Sequence, residues 1–482
     1  MNNLSYVNHI SIEQLTYLTY ARWNADDLRT RFTYALSEMY RAEVPLYGTL
    51  VDIVRYVDHS ILAQAGKNPE DLPIRHDIER HGAIRLGTEN ELRVLKSLFG
   101  ILGMCPVGYY DLHVVGLPLH GTAFRPVDEL SLMKNPFRVF VTVLRKELVS
   151  EDIRSSAERI LEKRNLFSPH LLEILHDAET GKAMTRQDAD DVIVEALKIF
   201  KWHSISTVAF DEYQKLKEAH PTIADIACFP SAHINHLTPR TLDIDLVQEE
   251  MVRQDMPAKE RIEGPPRRKC PILLRQTSFK ALEERVQFYG SDQASVDGTH
   301  TARFGEVEQR GAAVTCDGRH LYDRLLSVAM EEAAKNPVSC DFEKILSKSF
   351  SSFPDDWSDL RQQGLVYFRY QVTPKGRQYA HTQSGKLNAR IQIEELISLG
   401  LIEVTPITYE DFLPFSAAGI FRSNLGTGPA TPEALVNKTN RNGLEDALGC
   451  KIKDEFELYQ QLQNASVAEC TSALGLDEII MS

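Results

Sequence analysis

The chain has 482 residues, 43% hydrophobic and 25% charged, and no stretch approaches the roughly 20 apolar residues of a membrane-spanning helix, so we expect no membrane partner. Lys and Arg number 54 against 68 Asp and Glu, and the net charge of −14 repels polyanions, which argues against nucleic-acid binding. The seven cysteines are scattered and odd in number, which argues against a disulfide framework and a cysteine zinc site.

The first segment, residues 1–70, is predicted to be a helical cap. It opens on Met1–Tyr6, which lacks the basic region and apolar run of a secretory signal, so we expect a cytoplasmic protein. From Ile12 to Gly66 the apolar residues recur near the helical period.

Residues 71–149 are predicted to form the first half of a barrel-like core. The run from Arg75 to Gly87 is strand-like, and Thr88–Glu91 is a T-x-x-E capping box that opens a helix ending near Gly103. The runs 108–115 and 137–144 are β-branched and aromatic and are bounded by Gly and Pro, which predicts two further strands. The local order is β-α-β-β.

A similar pattern returns after a predicted helical insertion, residues 150–220. In the second barrel half, residues 221–315, a strand is predicted over 231–240, a helix over 242–251, a strand over 271–279 and a closing strand-like run over 298–311. The spacing H-x-x-x-R occurs at His81–Arg85 and again at His236–Arg240, each just before a helix. The sequence therefore predicts an α+β fold of two duplicated βαβββ-type units.

The remaining residues, 316–482, are predicted to be a helical and loop region that contributes to the substrate pocket. Helices are expected over 322–335 and 387–399, and the Gly/Pro/Asn-rich segment 422–442 is expected to be a surface loop or a lid.

Histidines in the two duplicated strands and a glutamate on the closing strand form a candidate metal site. Two imidazoles and one carboxylate with open positions suit non-haem Fe(II). His233 lies three residues before His236, so on a strand only one of them can face the metal, and the shared H-x-x-x-R spacing favours His236 over His233. Glu306 and Glu308 share a strand face, and geometry does not separate them.

Arg85 is a candidate for carboxylate binding. It lies four residues beyond His81 on the same strand face, where a guanidinium could hold a substrate carboxylate, although a structural ion pair with Glu89 is the alternative. Arg240 follows Pro239 and is expected to be structural. His76 is expected to be a loop residue, although a supporting contact to a metal ligand is the alternative.

Four long runs carry a resemblance to a known family: 81–92, 233–240, 304–311 and 409–421. Together they resemble the 2-oxoadipate dioxygenase/decarboxylase family, an iron-dependent branch related to the vicinal-oxygen-chelate enzymes. The segment around Glu306 is also similar to the one that carries the iron-binding glutamate of 4-hydroxyphenylpyruvate dioxygenase. The resemblance implies a vicinal-oxygen-chelate-like barrel core.

The same resemblance implies the roles of individual residues. Fe(II) would be held by His81, His236 and Glu306, Arg85 would bind a substrate carboxylate, and the turn Phe415–Ser416 would complete the acid pocket, with no catalytic residue beyond the metal centre. A hydroxyl that satisfies its own turn is the alternative for Ser416. Phe415 departs from the family pattern, in which a smaller apolar residue precedes the serine, and this affects the pocket size.

The implied reaction converts 2-oxoadipate and O2 to D-2-hydroxyglutarate and CO2, a step of lysine breakdown. Two other classes stay open at this point. A divalent-metal hydrolase or isomerase acting on a small carboxylic acid could use the same ligands, and a non-enzymatic small-acid-binding protein would need no metal.

Overall fold

The structure is a computed structural model, and it describes residues 24–289, 295–335, 341–382, 390–413 and 440–481. The helices are α1 (Ala25–Glu43), α2 (Pro45–Gln64), α3 (Ile74–Ile78), α4 (Glu89–Ile101), α5 (Glu129–Lys134), α6 (Glu151–Leu161), α7 (Pro169–Glu179), α8 (Arg186–Phe200), α9 (Phe210–Ala219), α10 (Pro221–Ala227), α11 (Ile244–Arg253), α12 (Cys316–Lys335), α13 (Phe342–Ser349), α14 (Trp357–Gln362), α15 (Pro374–Thr382), α16 (Ile393–Ser398), α17 (Arg441–Leu448) and α18 (Glu455–Leu474). Among the described residues, no helix is both long enough and apolar enough to cross a membrane.

The strands build one large sheet and three small ones. They are β1 (Arg80–Leu86), β2 (Cys105–Asp111), β3 (Leu119–Arg125), β4 (Arg138–Leu144), β5 (Ile205–Ala209), β6 (His236–Pro239), β7 (Leu274–Ser278), β8 (Glu283–Tyr289), β9 (Ser295–Thr301), β10 (Phe304–Arg310), β11 (Phe368–Val372), β12 (Arg390–Gln392), β13 (Ile402–Pro406) and β14 (Glu478–Ile480). The large sheet has seven strands in the order β2-β3-β4-β1-β6-β10-β7 and curls into a half-barrel.

The centre of this sheet shows the duplication. β1 pairs with β6 in antiparallel register around Gly82 and Leu237, and each of these strands is flanked by the last strand of its own unit in parallel register, β4 beside β1 and β10 beside β6. His81 and His236 each come one residue before the central pair, and α4 and α11 each begin eight residues after their histidine. The predicted α+β class with duplicated units is confirmed.

Two predicted strands differ from the structure. The run 298–311 is divided between β9, which pairs with β8 in a separate sheet, and β10, which joins the large sheet. The predicted strand 231–240 begins only at His236, because the preceding residues cross from α8 to β1: the Ile234 amide donates to the Phe200 carbonyl and the Asn235 amide to that of Ala83.

The expectation that His76 is a loop residue is also wrong. It lies in α3 and is buried, and its Nε2 is 2.7 Å from Asp58 Oδ2 on α2. The hydrogen-bonded carboxylate explains how a polar ring can be buried there.

The close approach of β1 and β6 depends on a residue without a side chain. A Cβ placed on Gly82 would lie 2.5 Å from Ile234 Cδ1 and 3.0 Å from the His236 carbonyl oxygen. Any larger residue would displace the Ile234 side chain and press on the His236 carbonyl, so glycine suits the close packing at this point between the two histidine-bearing strands.

A tyrosine on α1 ties the helical layer to the same region. The fully buried Tyr40 hydroxyl lies 2.7 Å from the Phe304 carbonyl oxygen and 3.0 Å from that of Asn235, and so links α1 to the start of β10 and to the residue before β6. A single hydroxyl can donate one proton, so the two carbonyls share it.

We predict that Tyr40→Phe lowers the free energy of unfolding by about 1–3 kcal/mol, because it leaves buried carbonyls without this donor. The shift of the urea midpoint measures the loss. Tyr34→Phe is the control on the same helix, since Tyr34 is 45% exposed, and its effect should stay within about 0.5 kcal/mol. Equal midpoints for the two variants would contradict the assignment.

Candidate metal centre

Three buried side chains from three neighbouring strands converge on one point. His81 on β1, His236 on β6 and Glu306 on β10 offer ligand atoms that all lie within 4.8 Å of one another. Glu306 Oε1 is 2.9 Å from His81 Nε2 and 3.9 Å from His236 Nε2, and the two imidazole rings are nearly perpendicular, with centroids 5.4 Å apart. The structure thus brings together the three residues that the sequence singled out.

The carboxylate of Glu306 is held in place by two neutral donors. Gln276 Nε2 donates to Oε1 over 2.7 Å and the Thr238 hydroxyl over 3.0 Å. Sequence reasoning missed both residues, because nothing in the predicted strands 271–279 and 231–240 distinguishes them from other polar strand positions. Neutral donors orient the carboxylate while leaving its negative charge available to a cation.

Burial and the neighbouring charges together set the protonation of the cluster. Burial lowers the pKa of His236 to about 3, so its imidazole is neutral at neutral pH. Burial would lower the pKa of His81 too, but Glu308 and Glu306 outweigh burial and raise it. Burial would raise the pKa of Glu306, but His236 and His81 hold it below its usual value. A neutral imidazole and an ionised carboxylate are the forms that bind a metal.

The strand register explains why the duplicated fold supplies a single carboxylate. His81 lies opposite Arg138 on the last strand of its unit, and His236 lies opposite Phe304. Two residues further along those last strands stand Phe140 and Glu306. Phe140 is therefore the counterpart of Glu306, and an apolar ring occupies the place where a fourth ligand would stand.

Two imidazoles and one carboxylate, all buried and all on one face of the sheet, fit a divalent cation such as Fe(II). Three protein ligands leave coordination positions open for small molecules. Phe412 closes one side of the site, with its ring centroid 5.0 Å from that of His81.

His233 belongs to a second buried cluster. Its Nε2 is 3.1 Å from Asp225 Oδ1, and His300 Nε2 is 2.9 Å from the same oxygen. Asp225 Oδ2 is 2.5 Å from Arg85 Nη1. Burial would raise the pKa of Asp225, but Arg85 and His233 hold it well below its usual value. Because a guanidinium already pairs with this carboxylate, the second cluster is an ion-pair network and does not suit a cation.

The other predicted site residues have mixed outcomes. Arg85 shares the inner strand face with His81, but its ion-pair partner is Asp225 from α10, a residue that no sequence pattern indicated, in place of the suggested Glu89. Arg240 Nη1 pairs with Glu79 Oε2 at 3.1 Å, which agrees with a structural role. Phe415 and Ser416 lie outside the described residues, as does the 422–442 segment up to residue 439.

The half-barrel with a buried two-histidine, one-carboxylate cluster defines a metal-dependent enzyme built from paired βαβββ units. Comparison with known proteins is more specific: the family model of the 2-oxoadipate dioxygenase/decarboxylases matches residues 32–424. The chain belongs to this family, as the sequence motifs predicted.

Relatives and solved structures agree with this assignment. The 2-oxoadipate dioxygenase/decarboxylase of Escherichia coli (strain K12) is 47% identical over 92% of this chain and 98% of its own length, and that of Pseudomonas putida is 46% identical over 94% and 97%. The crystal structure of the Pseudomonas putida hydroxyglutarate synthase in complex with 2-oxoadipate matches with a TM-score of 0.83 and 42% identity, covering 95% of this chain and all of that one.

The metal content of variants shows whether His236 or His233 is a metal ligand. We predict that His81→Ala and His236→Ala, loaded with Fe(II) under anaerobic conditions and desalted, retain less than about a tenth of the wild-type metal, because each loses one of three ligands. His233→Ala should retain a full equivalent, since His233 contacts Asp225. Plasma emission spectrometry gives the metal per chain, and a metal-free His233→Ala beside a metal-loaded His236→Ala would reverse the assignment.

Proposed function

We propose that this protein is an Fe(II)-dependent dioxygenase/decarboxylase that converts 2-oxoadipate and O2 to D-2-hydroxyglutarate and CO2. The observation that carries the proposal is the convergence of His81, His236 and Glu306 on one buried point in a chain that belongs to the 2-oxoadipate dioxygenase/decarboxylase family. The stoichiometry balances, since both atoms of O2 enter the products, a five-carbon hydroxy diacid and CO2.

In this proposal the three side chains hold the iron. When bound there, Fe(II) supplies a chelation site for a 2-oxo acid and the electrons for O2 activation. Glu306 contributes one negative charge against two neutral imidazoles, so the centre keeps a net positive charge that favours an anionic substrate. Phe412 and Phe140, whose ring centroids are 5.3 Å apart, line an apolar wall that keeps water from the reacting groups.

Arg85 is the proposed partner of the distal substrate carboxylate. It is four residues from His81 on the same strand face, a separation of about 13 Å along the strand, which a chain-like diacid and a long guanidinium side chain span together. Its guanidinium Nη1 pairs with Asp225, which orients the side chain along the inner face of the sheet. The Phe415–Ser416 turn is proposed to complete the acid pocket, as the family resemblance of the 409–421 run implies.

Family membership favours this activity over the two alternatives. A hydrolase or isomerase would use the same ligands without consuming O2, and a binding protein would need no metal. Neither alternative predicts O2 consumption that depends on 2-oxoadipate, whereas a dioxygenase does.

We predict that the anaerobically Fe(II)-loaded protein consumes O2 only when 2-oxoadipate is present, with one CO2 and one D-2-hydroxyglutarate formed per O2. An oxygen electrode measures O2, trapping of labelled CO2 from 1-¹⁴C-2-oxoadipate measures CO2, and chiral chromatography measures D-2-hydroxyglutarate. His81→Ala should lose at least about 1000-fold in rate, because the metal site is broken. Absence of 2-oxoadipate-dependent uptake by the iron-loaded wild type would refute the proposed function.

The diacid preference is predicted to reside in Arg85. Arg85→Met should lower kcat/KM for 2-oxoadipate by about 30-fold to 1000-fold, the loss of about 2–4 kcal/mol expected when a buried charge pair loses one partner. The value for 2-oxohexanoate, which lacks the distal carboxylate, should change less than about threefold.

Arg240→Met is the matched control, since Arg240 holds the same place in the second H-x-x-x-R unit but pairs with Glu79. It should keep the wild-type ratio of the two kcat/KM values. If Arg85→Met lowered kcat/KM equally for 2-oxoadipate and for 2-oxohexanoate, the role assigned to Arg85 would be contradicted.

A further inference from the structure

Glu308 is a buried carboxylate beside the metal site that no ligand role explains. It lies two residues beyond Glu306 on β10 and is fully buried. Its Oε2 is 2.8 Å from His81 Nδ1, whereas Glu306 Oε1 is 2.9 Å from His81 Nε2. The two carboxylates therefore face opposite edges of the same imidazole ring.

We infer that Glu308 is a positioning residue for the metal centre: its carboxylate faces His81 Nδ1 at 2.8 Å, and when the ring turns to present the Nε2 lone pair to a metal, Glu308 accepts the Nδ1 proton in a hydrogen bond. In the structure itself this contact is close but is not aligned as a hydrogen bond. The inference rests on one part of the proposed function, namely that His81 is a metal ligand. A carboxylate in this place fixes the tautomer, fixes the ring angle and makes the imidazole a stronger donor to the cation.

Both oxygens of Glu308 are already engaged by a cation, which separates it from a ligand. Arg310 Nε lies 2.8 Å from Oε1 and Arg310 Nη2 lies 2.9 Å from Oε2, a two-pronged contact. The described side-chain hydrogen bonds to Glu306 come from the neutral groups of Gln276 and Thr238, and the half-buried Lys259 ammonium interacts with its charge. A carboxylate held by a guanidinium fork is a poor metal ligand and a well-oriented hydrogen-bond acceptor.

The fork also joins the metal centre to the chain segment that covers it. Arg310 Nη1 donates to the carbonyl oxygens of Tyr409 and Asp411, over 2.9 and 3.0 Å. Phe412, the next residue in this segment, packs perpendicular to the His81 ring, with the two ring centroids 5.0 Å apart. Contacts thus run from His81 through Glu308 and Arg310 to the 409–412 segment, and they hold the His81 ring at Nδ1 and against the Phe412 ring.

The test uses Co(II), whose visible spectrum reports both affinity and coordination geometry, on the full chain. Glu308→Gln should weaken Co(II) binding by about 10–100-fold in chelator competition, the usual effect of losing such a partner, and should shift the d–d bands while still binding one equivalent. Glu306→Gln should fail to bind a stoichiometric equivalent at the same concentrations.

Glu91→Gln is the matched control for the loss of a buried charge. Glu91 is also buried and is held by a two-pronged contact from Arg164, as Glu308 is by Arg310, but it touches neither ligand histidine in any described contact. Its thermal midpoint should fall as that of Glu308→Gln does, whereas its Co(II) affinity should stay within about threefold of wild type.

Glu308→Asp is the second variant if Glu308→Gln does not fold. It keeps the charge but shortens the reach, and its Co(II) affinity should lie between those of wild type and Glu308→Gln. Wild-type affinity and spectrum in the Glu308 variants would overturn the inference, and so would loss of the metal in Glu308→Gln with retention in Glu306→Gln. These outcomes do not depend on 2-oxoadipate or O2, so they are separate from a failure of the proposed reaction.

Discussion

The antiparallel pairing of β1 with β6 is the contact on which the rest of the structure depends. It places His81 and His236 symmetrically about the Gly82–Leu237 pair, one from each duplicated unit, with their rings 5.4 Å apart between centroids. Gly82 leaves room in this pairing for the Ile234 side chain and the His236 carbonyl oxygen. Since each unit contributes one histidine, neither unit alone could form the site.

The last strands of the two units then determine what completes the site. On β10, Glu306 lies two residues beyond the residue that pairs with His236. On β4, Phe140 lies two residues beyond the residue that pairs with His81. The duplicated halves have thus diverged at one pair of positions into a carboxylate and an apolar ring. A cation held on three sides and bounded by an apolar wall is what an oxygen-using reaction of an organic acid requires.

A dense set of buried charges supports this arrangement from the side away from Glu306. Glu79, Glu308 and Glu410 are interleaved with Arg75, Arg138 and Arg310, all buried. Burial would raise the pKa of Glu308, but Arg310 and His81 hold it well below its usual value. Because each buried charge is costly unless it is paired, the network tolerates few local rearrangements and so fixes the ring of His81.

Much of this could be predicted from the sequence, and the remainder could not for physical reasons. The repeated H-x-x-x-R spacing and the capping box Thr88–Glu91 were local signals, and they predicted the duplicated units and the histidine pair. The role of Asp225 could not be predicted, because it lies in a short helix far along the chain from Arg85 and meets it only through tertiary packing. The closing run was wrongly taken as one strand because its pairing partners, β8 and β7, belong to different sheets.

The choice between Glu306 and Glu308 shows the same limit. Both side chains lie on one face of β10, and sequence alone could not separate them. Their difference lies in what surrounds them: Arg310 engages both oxygens of Glu308, whereas Gln276 and Thr238 orient Glu306. Gln276 and Thr238 come from other strands, and the contact of Arg310 with Glu308 depends on the direction of its side chain. The periodicity of a sequence shows neither.

Anomalous diffraction at the iron edge from crystals loaded with Fe(II) under anaerobic conditions tests the central claim most directly. The account predicts one anomalous peak per chain, bonded to His81 Nε2, an imidazole nitrogen of His236 and the carboxylate of Glu306, with Glu308 on the far edge of the His81 ring. A peak among Asp225, His233 and His300, or one bonded to Glu308, would contradict it.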